Sequence, residues 1–200
     1  MESGVFEPTV LQRLTVHLIG RLNRELGSIE LAKLVYLCDV EKARFFGKTI
    51  TGEEYYWATF GPLAKRFRLS LRELIGHEVD RKVGVSSGFS GWIKHCHRIG
   101  KEPRFRATLE AVDETIAGRV IAKYGHLSPV NLERAAYETE PMQAEGLERG
   151  DDLDFGAVKQ NARFMRWLRN RGHQDWRDAR YERLLALEKR EAEEILSSLS

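Results

Sequence analysis

The chain has 200 residues, of which 42% are hydrophobic and 31% are charged, a composition typical of a soluble globular protein with one core. The formal net charge of +2 gives no overall attraction to nucleic acid or anionic lipid, and no apolar run approaches the roughly 20 residues that span a bilayer. The N-terminus lacks a signal-peptide pattern, and Cys38 and Cys96 are too few for a disulfide framework or a zinc quartet. We therefore expect a cytoplasmic protein with free thiols and no membrane partner.

Two helices are predicted in the first quarter of the chain. Leucines at helical spacing predict a helix over residues 7–27, with Gly27 just past its end. Ser28 is expected to cap a second helix, which ends at Gly47. Apolar residues widen the stripe of this second helix beyond one face, so we expect it to lie at the centre of the fold.

The period of the sequence changes after the second helix. Residues 48–60 are rich in β-formers and predict two short strands or an extended arm. Gly61 and Pro62 predict the start of a third helix, because proline is tolerated at the first helical position. Alternating valines and a Ser-Ser-Gly turn predict a hairpin over residues 78–93, and residues 95–104 predict a basic loop.

Further helices are predicted in the C-terminal half. Apolar spacing predicts one over residues 105–125, and Ser128 with Pro129 forms a cap and first-turn pair for the next. Asp154 is expected to cap a sixth helix. Residues 175–199 form a charge-dense helical run with a thin apolar stripe, which is typical of a helix that is mostly solvated or packs on a partner.

These elements predict a mainly α-helical protein. We expect a single compact domain of six or seven helices over residues 8–170, with a small antiparallel β-hairpin. The charged C-terminal helix, residues 175–199, is expected to pack on that domain or to contact a partner or a second copy of the chain.

Three motifs resemble those of a known family. They are KLVYLCDVE at residues 33–41, RFFGKTITG at residues 44–52 and YWATFGPLA at residues 56–64. In this order they resemble the Panacea, or SocA-like antitoxin, domain family. Where the family tends to have a His-x-x-x-Pro-Trp-like element, this chain has Tyr137 and Met142. The positions that match the motifs include Lys33, Leu34, Tyr36, Leu37, Asp39, Gly47, Ile50, Thr51, Gly52, Gly61 and Pro62.

The resemblance, which extends over about residues 11–142, implies a function that the residues alone do not. It implies a mostly helical, non-enzymatic antitoxin, of a family often encoded in mobile elements, that binds and neutralises a protein toxin encoded beside it. At least one family member is an adaptor that delivers its toxin to a bacterial protease, so an AAA+ protease is a second expected partner. No cofactor is expected.

An aromatic cluster is the best candidate for a partner-binding site. Tyr55, Tyr56, Trp57 and Phe60 lie close together in the chain, and Tyr and Trp are favoured in interface hot spots. Alternate side chains of an extended segment face opposite ways, so about half of the cluster should enter the core. Packing alone is the alternative explanation of this cluster.

Basic helical faces support a second hypothesis. On the expected sixth helix, Lys159, Arg163 and Arg166 share one face, with Arg169 close by. Such a face can neutralise phosphates, which would make the protein a DNA-binding regulator, or it can contact an acidic protein or only solvent. A further basic cluster is expected on the third helix, at Lys65, Arg66 and Arg68.

The candidates for catalysis and metal binding are weak. His95 and His97 have a metal-like spacing but lack a second ligand pair nearby, so a solvated basic loop is favoured. Cys38 is expected to be a small buried hydrophobe. Asp39 and Glu41 are expected at the surface or in salt bridges. We therefore predict that the protein has no catalytic residues and no metal site.

Overall fold

A computed structural model describes residues 6–85, 93–101 and 103–161 of the chain. Within these residues there are five α-helices, five β-strands and two 3-10 turns. The helices are α1 (Val10–Leu22), α2 (Ser28–Phe46), α3 (Phe67–Leu74), α4 (Ala111–Tyr124) and α5 (Pro129–Tyr137). The strands are β1 (Leu26–Gly27), β2 (Tyr55–Ala58), β3 (Gly61–Ala64), β4 (Val79–Val85) and β5 (Ile93–Ile99). The 3-10 turns are Glu140–Gln143 and Phe155–Ala157.

The central element is α2, as its broad apolar stripe predicts. Every residue from Glu30 to Val40 is buried, and α2 packs against α1, α4, α5 and β3. The cap lies one residue earlier than predicted, because the Gly27 N–H donates to Glu30 Oε2 at 2.8 Å. Gly47 ends the helix with φ +66°, a left-handed conformation that glycine adopts without steric cost.

The first helix is shorter than predicted. Thr9 and Gln12 form a capping box at its start, and Asn23, with φ +46°, ends it. Leu26 and Gly27 instead form β1, which pairs with β5. The prediction of a helix to Gly27 is wrong because the last two residues of the predicted helix pair with β5, which is distant in sequence.

A three-stranded antiparallel sheet has the order β1-β5-β4. Its β4–β5 pair confirms the first strand and the antiparallel pairing of the predicted hairpin, but the second strand begins at Ile93, where the hairpin was predicted to end. The predicted basic loop over residues 95–104 is wrong for its first part, since β5 continues to Ile99. His97 lies opposite Leu26 in this sheet, and its buried Nδ1 is 3.2 Å from the Leu26 carbonyl oxygen.

The second sheet pairs β2 with β3 in antiparallel register. The extended structure after α2 is therefore confirmed, but Gly61 and Pro62 belong to a strand and α3 begins only at Phe67. Residues 150–153 bond to the other edge of β2, where Trp57 N donates to Asp151 O at 2.9 Å. Pro62 thus occupies a sheet edge, a position that tolerates its missing N–H.

The predicted fold class, mainly α with six or seven helices, is wrong. The described residues form an α+β structure with two small sheets. Asp154 caps only the short turn Phe155–Ala157, where its Oδ1 accepts the Gly156 N–H at 2.7 Å. Residues 158–161 are described and are not helical, so the expected sixth helix is wrong over these residues. Its continuation from residue 162 and the helix expected over residues 175–199 lie outside the described residues. None of the helices in the described part of the chain is long and apolar enough to cross a bilayer.

Candidate partner-binding groove

Asp39 fixes the segment that follows α2. Its Oδ1 accepts the backbone N–H groups of Ile50 at 2.7 Å and Thr51 at 3.0 Å. Its Oδ2 accepts the Tyr55 hydroxyl at 2.7 Å and also the Thr51 hydroxyl. One carboxylate therefore connects α2 to the turn and to the first residue of β2.

The carboxyl group of Asp39 is completely buried, so the expectation of a surface or salt-bridge position is wrong for this residue. Burial raises its pKa to about 6, while the four hydrogen bonds oppose that rise. The sequence signals for this arrangement were an acid within an apolar helical run and its place in the motif KLVYLCDVE. Glu41, in contrast, pairs with Arg44 and Arg119 at distances of 3.3 and 3.6 Å, as a salt-bridge position predicts.

Lys33 connects α2 to β3. Its Nζ donates to the Pro62 carbonyl oxygen at 2.8 Å, and only 2% of the residue is exposed. Burial lowers the pKa of this amine to about 8, against an opposing effect from Glu133. A Cβ atom on Gly61 would lie 3.3 Å from this Nζ, so glycine is suited to this close approach.

Residues at and just after the end of α5 contact both β2 and α2. Trp57 Nε1 donates to the Tyr137 hydroxyl at 3.1 Å, and their rings meet edge to face. Thr139 donates its hydroxyl hydrogen to the Ala136 carbonyl oxygen and accepts the Tyr36 hydroxyl at 2.6 Å. Tyr137 and Thr139 were not predicted as partners of these aromatics, since nothing local in the sequence connects them.

The structure separates the four predicted aromatics. Tyr55 is 1% exposed, Tyr56 and Trp57 are half-buried, and Phe60 is 45% exposed. Tyr55 contributes to the core, where its ring contacts the rings of Tyr36 and Phe155. Among the four, Phe60 therefore offers the largest fraction of its surface to a partner.

Phe60 borders a groove between the N-terminal end of α2 and the β2–β3 sheet. The groove has a volume of about 180 Å³, enough for one large apolar side chain. Ile29, on the α2 side, is 39% exposed and was not predicted. We call this surface the α2–β3 groove, and it is lined by Ser28, Ile29, Ala32, Lys33, Ala58, Thr59, Phe60, Gly61, Leu63, Phe67 and Arg68.

The predicted basic residues do not form one face within the described residues. Lys65 pairs with Glu54 and Asp152, both at 2.9 Å. Arg66 precedes α3, and Arg68 lines the α2–β3 groove. Lys159 is exposed and lies on irregular backbone, not on a helix. Arg163, Arg166 and Arg169 lie outside the described residues, so a basic face formed by these three stays a prediction.

Residues of metal-ligand type do not converge in the part of the chain that the structure describes. It contains no group of three or more His, Cys, Asp or Glu side chains that could hold a metal ion. His97 is turned to the Leu26 carbonyl, and burial lowers the pKa of its imidazole. Cys38 is a free buried thiol, as predicted.

The family model described as antitoxin SocA-like, Panacea domain, matches residues 31–141. The chain belongs to this family. The Panacea match includes the Asp39 and Lys33 connections, Phe60 and the Trp57–Tyr137 contact, whereas Ile29 lies just outside it. Neither a search of curated proteins nor a search of solved structures finds a match.

Proposed function

We propose that this Panacea protein is a non-enzymatic antitoxin that neutralises a cognate protein toxin by direct contact at the α2–β3 groove. The family connects the chain with antitoxins in general. The observation that supports the groove is the pair Phe60 and Ile29, two exposed apolar side chains at one cavity. Large apolar side chains at a pocket with a partly charged rim are typical of interface hot spots.

The groove is preorganised by the motif residues around it. Lys33 holds the Pro62 carbonyl, and Asp39 holds Thr51 and Tyr55 at the start of β2. A surface fixed in this way loses little conformational entropy when a partner binds. The motif residues therefore support the groove, and the less constrained side chains at its rim would provide the contacts.

Charge at the groove gives a preference for the partner. Arg68 is exposed at the rim, whereas Lys33 is a buried lining residue bonded to the Pro62 carbonyl oxygen. The Arg68 guanidinium is therefore the cation that a carbonyl or carboxylate oxygen of the toxin would contact. We therefore expect the toxin segment to insert an apolar side chain next to an acidic or backbone oxygen.

Co-expression with the neighbouring gene tests the antitoxin function itself. We expect the neighbouring product to stop growth when expressed alone and to be harmless when this chain is co-expressed. A neighbouring product that is not toxic, or that stays toxic in the presence of this chain, would show that the proposed function is wrong.

Substitution of Phe60 tests the groove separately. Phe60→Asp should weaken toxin binding by about 30-fold or more, since hot-spot residues contribute about 2 kcal/mol or more. Val130→Asp is the matched control, because Val130 is 68% exposed on α5 and does not line the groove. Binding is measured by calorimetry, with circular dichroism to verify folding. Wild-type affinity in folded Phe60→Asp would remove the groove from the proposal but leave the antitoxin function standing.

Neutralisation could work by covering the toxin or by presenting it to an AAA+ protease. Toxin abundance in cells distinguishes the two modes. A toxin that remains at full level while growth recovers indicates occlusion, and a toxin whose level falls only when the protease is present indicates delivery.

A further inference from the structure

A second cavity, of about 430 Å³, lies between α1, the turn after α2 and the start of α4. Its volume is within the range of small-molecule sites, about 300–1,000 Å³. It shares no lining residue with the α2–β3 groove. The antitoxin proposal therefore does not account for it.

Three cations line this cavity, namely Arg13, Lys42 and Lys48. Lys42 is neutralised by Asp113, whose Oδ1 is 2.5 Å from Lys42 Nζ in a nearly buried pair. Within the described ranges, no carboxylate lies at ion-pair distance from the Arg13 guanidinium or the Lys48 ammonium. Glu110 is the other carboxylate on the lining, and it is exposed. With three cations and two carboxylates, the lining keeps an excess of one positive charge.

The remaining wall is partly apolar. Val10 and Leu109 are half-buried and Ile50 is buried, while Thr49 and Thr108 add hydroxyl groups. The wall therefore suits a ligand with both an anionic group and an organic part. A cavity of this size is also larger than inorganic phosphate needs.

We propose that this cavity binds a small organic phosphate, with its phosphate group between Arg13 and Lys48 and its organic part against Val10 and Leu109. Arginine offers two parallel N–H donors to phosphate oxygens, and lysine adds a second positive charge. A phosphate ester has about two negative charges at neutral pH, so it can pair with both of these cations. Mononucleotides and sugar phosphates share this chemistry.

Calorimetry on the full chain tests the site with three probes, AMP, glucose 6-phosphate and inorganic phosphate, in a buffer without phosphate. We expect at least one ester to bind about tenfold or more tightly than inorganic phosphate, and the preferred ester identifies the organic part. Arg13→Gln and Lys48→Gln should each weaken that binding by about tenfold or more, as expected for a lost charge-assisted hydrogen bond.

Two further variants make the test specific. Thr108→Glu places a carboxylate at the cavity and should also weaken binding by about tenfold or more, whereas Thr108→Ser should not. Arg68→Gln removes a cation of the α2–β3 groove and should leave the affinity within about twofold. The proposal is overturned if neither ester gives heat, if inorganic phosphate binds as tightly as the esters, or if Arg68→Gln weakens binding as much as Arg13→Gln.

Discussion

Replacing Asp39 by alanine should destabilise the fold far more than replacing its neighbour Glu41. The change removes a buried carboxylate that accepts hydrogen bonds from the Ile50 and Thr51 N–H groups and from the Thr51 and Tyr55 hydroxyls. Alanine offers no acceptor in its place, so these donors lose their partner inside the protein.

The expected magnitude follows from the burial of those donors. The Ile50 N–H and the Tyr55 hydroxyl make buried hydrogen bonds, and the two Thr51 donors make half-buried ones. Orphaning all four costs about 3–9 kcal/mol, at about 1–3 for a buried donor and about half of that for a half-buried one. Removing a desolvated carboxylate returns about 3 kcal/mol at neutral pH, because the pKa of Asp39 is raised from 3.8 to about 6. We expect a net loss of about 3 kcal/mol in the free energy of unfolding.

Urea unfolding followed by far-UV circular dichroism measures this loss. Glu41→Ala is the matched control on the same helix, and its half-exposed pairs with Arg44 and Arg119 should be worth less than about 1 kcal/mol. Asp39→Asn should fall between the two alanine variants, because its side-chain oxygen can still accept the Ile50 and Thr51 N–H groups. If Asp39→Ala costs no more than Glu41→Ala, the carboxylate does not hold this segment.

Four further predictions concern the same framework. Because the folded chain holds a proton on Asp39 more tightly than the unfolded chain, wild type should gain stability relative to Asp39→Asn as pH falls from about 6 to 3.8; a flat difference across that window in urea titrations would contradict the buried site. Lys33→Met should lower the free energy of unfolding by about 1–3 kcal/mol, because it leaves the Pro62 carbonyl oxygen unpaired. Since the pKa of Lys33 is lowered, the stability of wild type relative to Lys33→Met should increase as pH rises from about 8 to 10.5. Thermal melts at these two pH values check the sign. Gly61→Ala should lower the melting temperature more than Gly52→Ala does. Both glycines have positive φ, but only at Gly61 would a Cβ atom lie against Lys33 and Tyr137. Equal melting temperatures for the two variants would refute this.

Local sequence patterns determined those helices whose ends are marked by neighbouring residues. Apolar period and a terminal glycine gave α2, and the Ser128–Pro129 pair gave the start of α5. The alternating valines gave the first strand of the hairpin, whereas the second strand lies further along the chain than predicted. The motifs that indicate the Panacea family are also local, which is why the family could be recognised before the fold was known.

Tertiary contacts decided the secondary structure of segments whose local sequence is compatible with both a helix and a strand. Gly61-Pro62 suits both a helix start and a sheet edge, and only pairing with Trp57 and Ala58 made it a strand. Leu26 and Gly27 are not part of the first helix, because they pair with β5, a strand that is distant in sequence.

The candidate sites depend even more on tertiary structure. The hydrogen-bond donors to Asp39 lie beyond the end of its own helix. Helical periodicity cannot show such contacts. Phe60 and Ile29 border one groove although they lie on separate elements, and Arg13 and Lys48 line one cavity although they are far apart in the chain. The sequence therefore determined most of the helices and the family. The folded chain alone decided which side chains are buried and which share a surface, because burial depends on contacts between residues far apart in the chain.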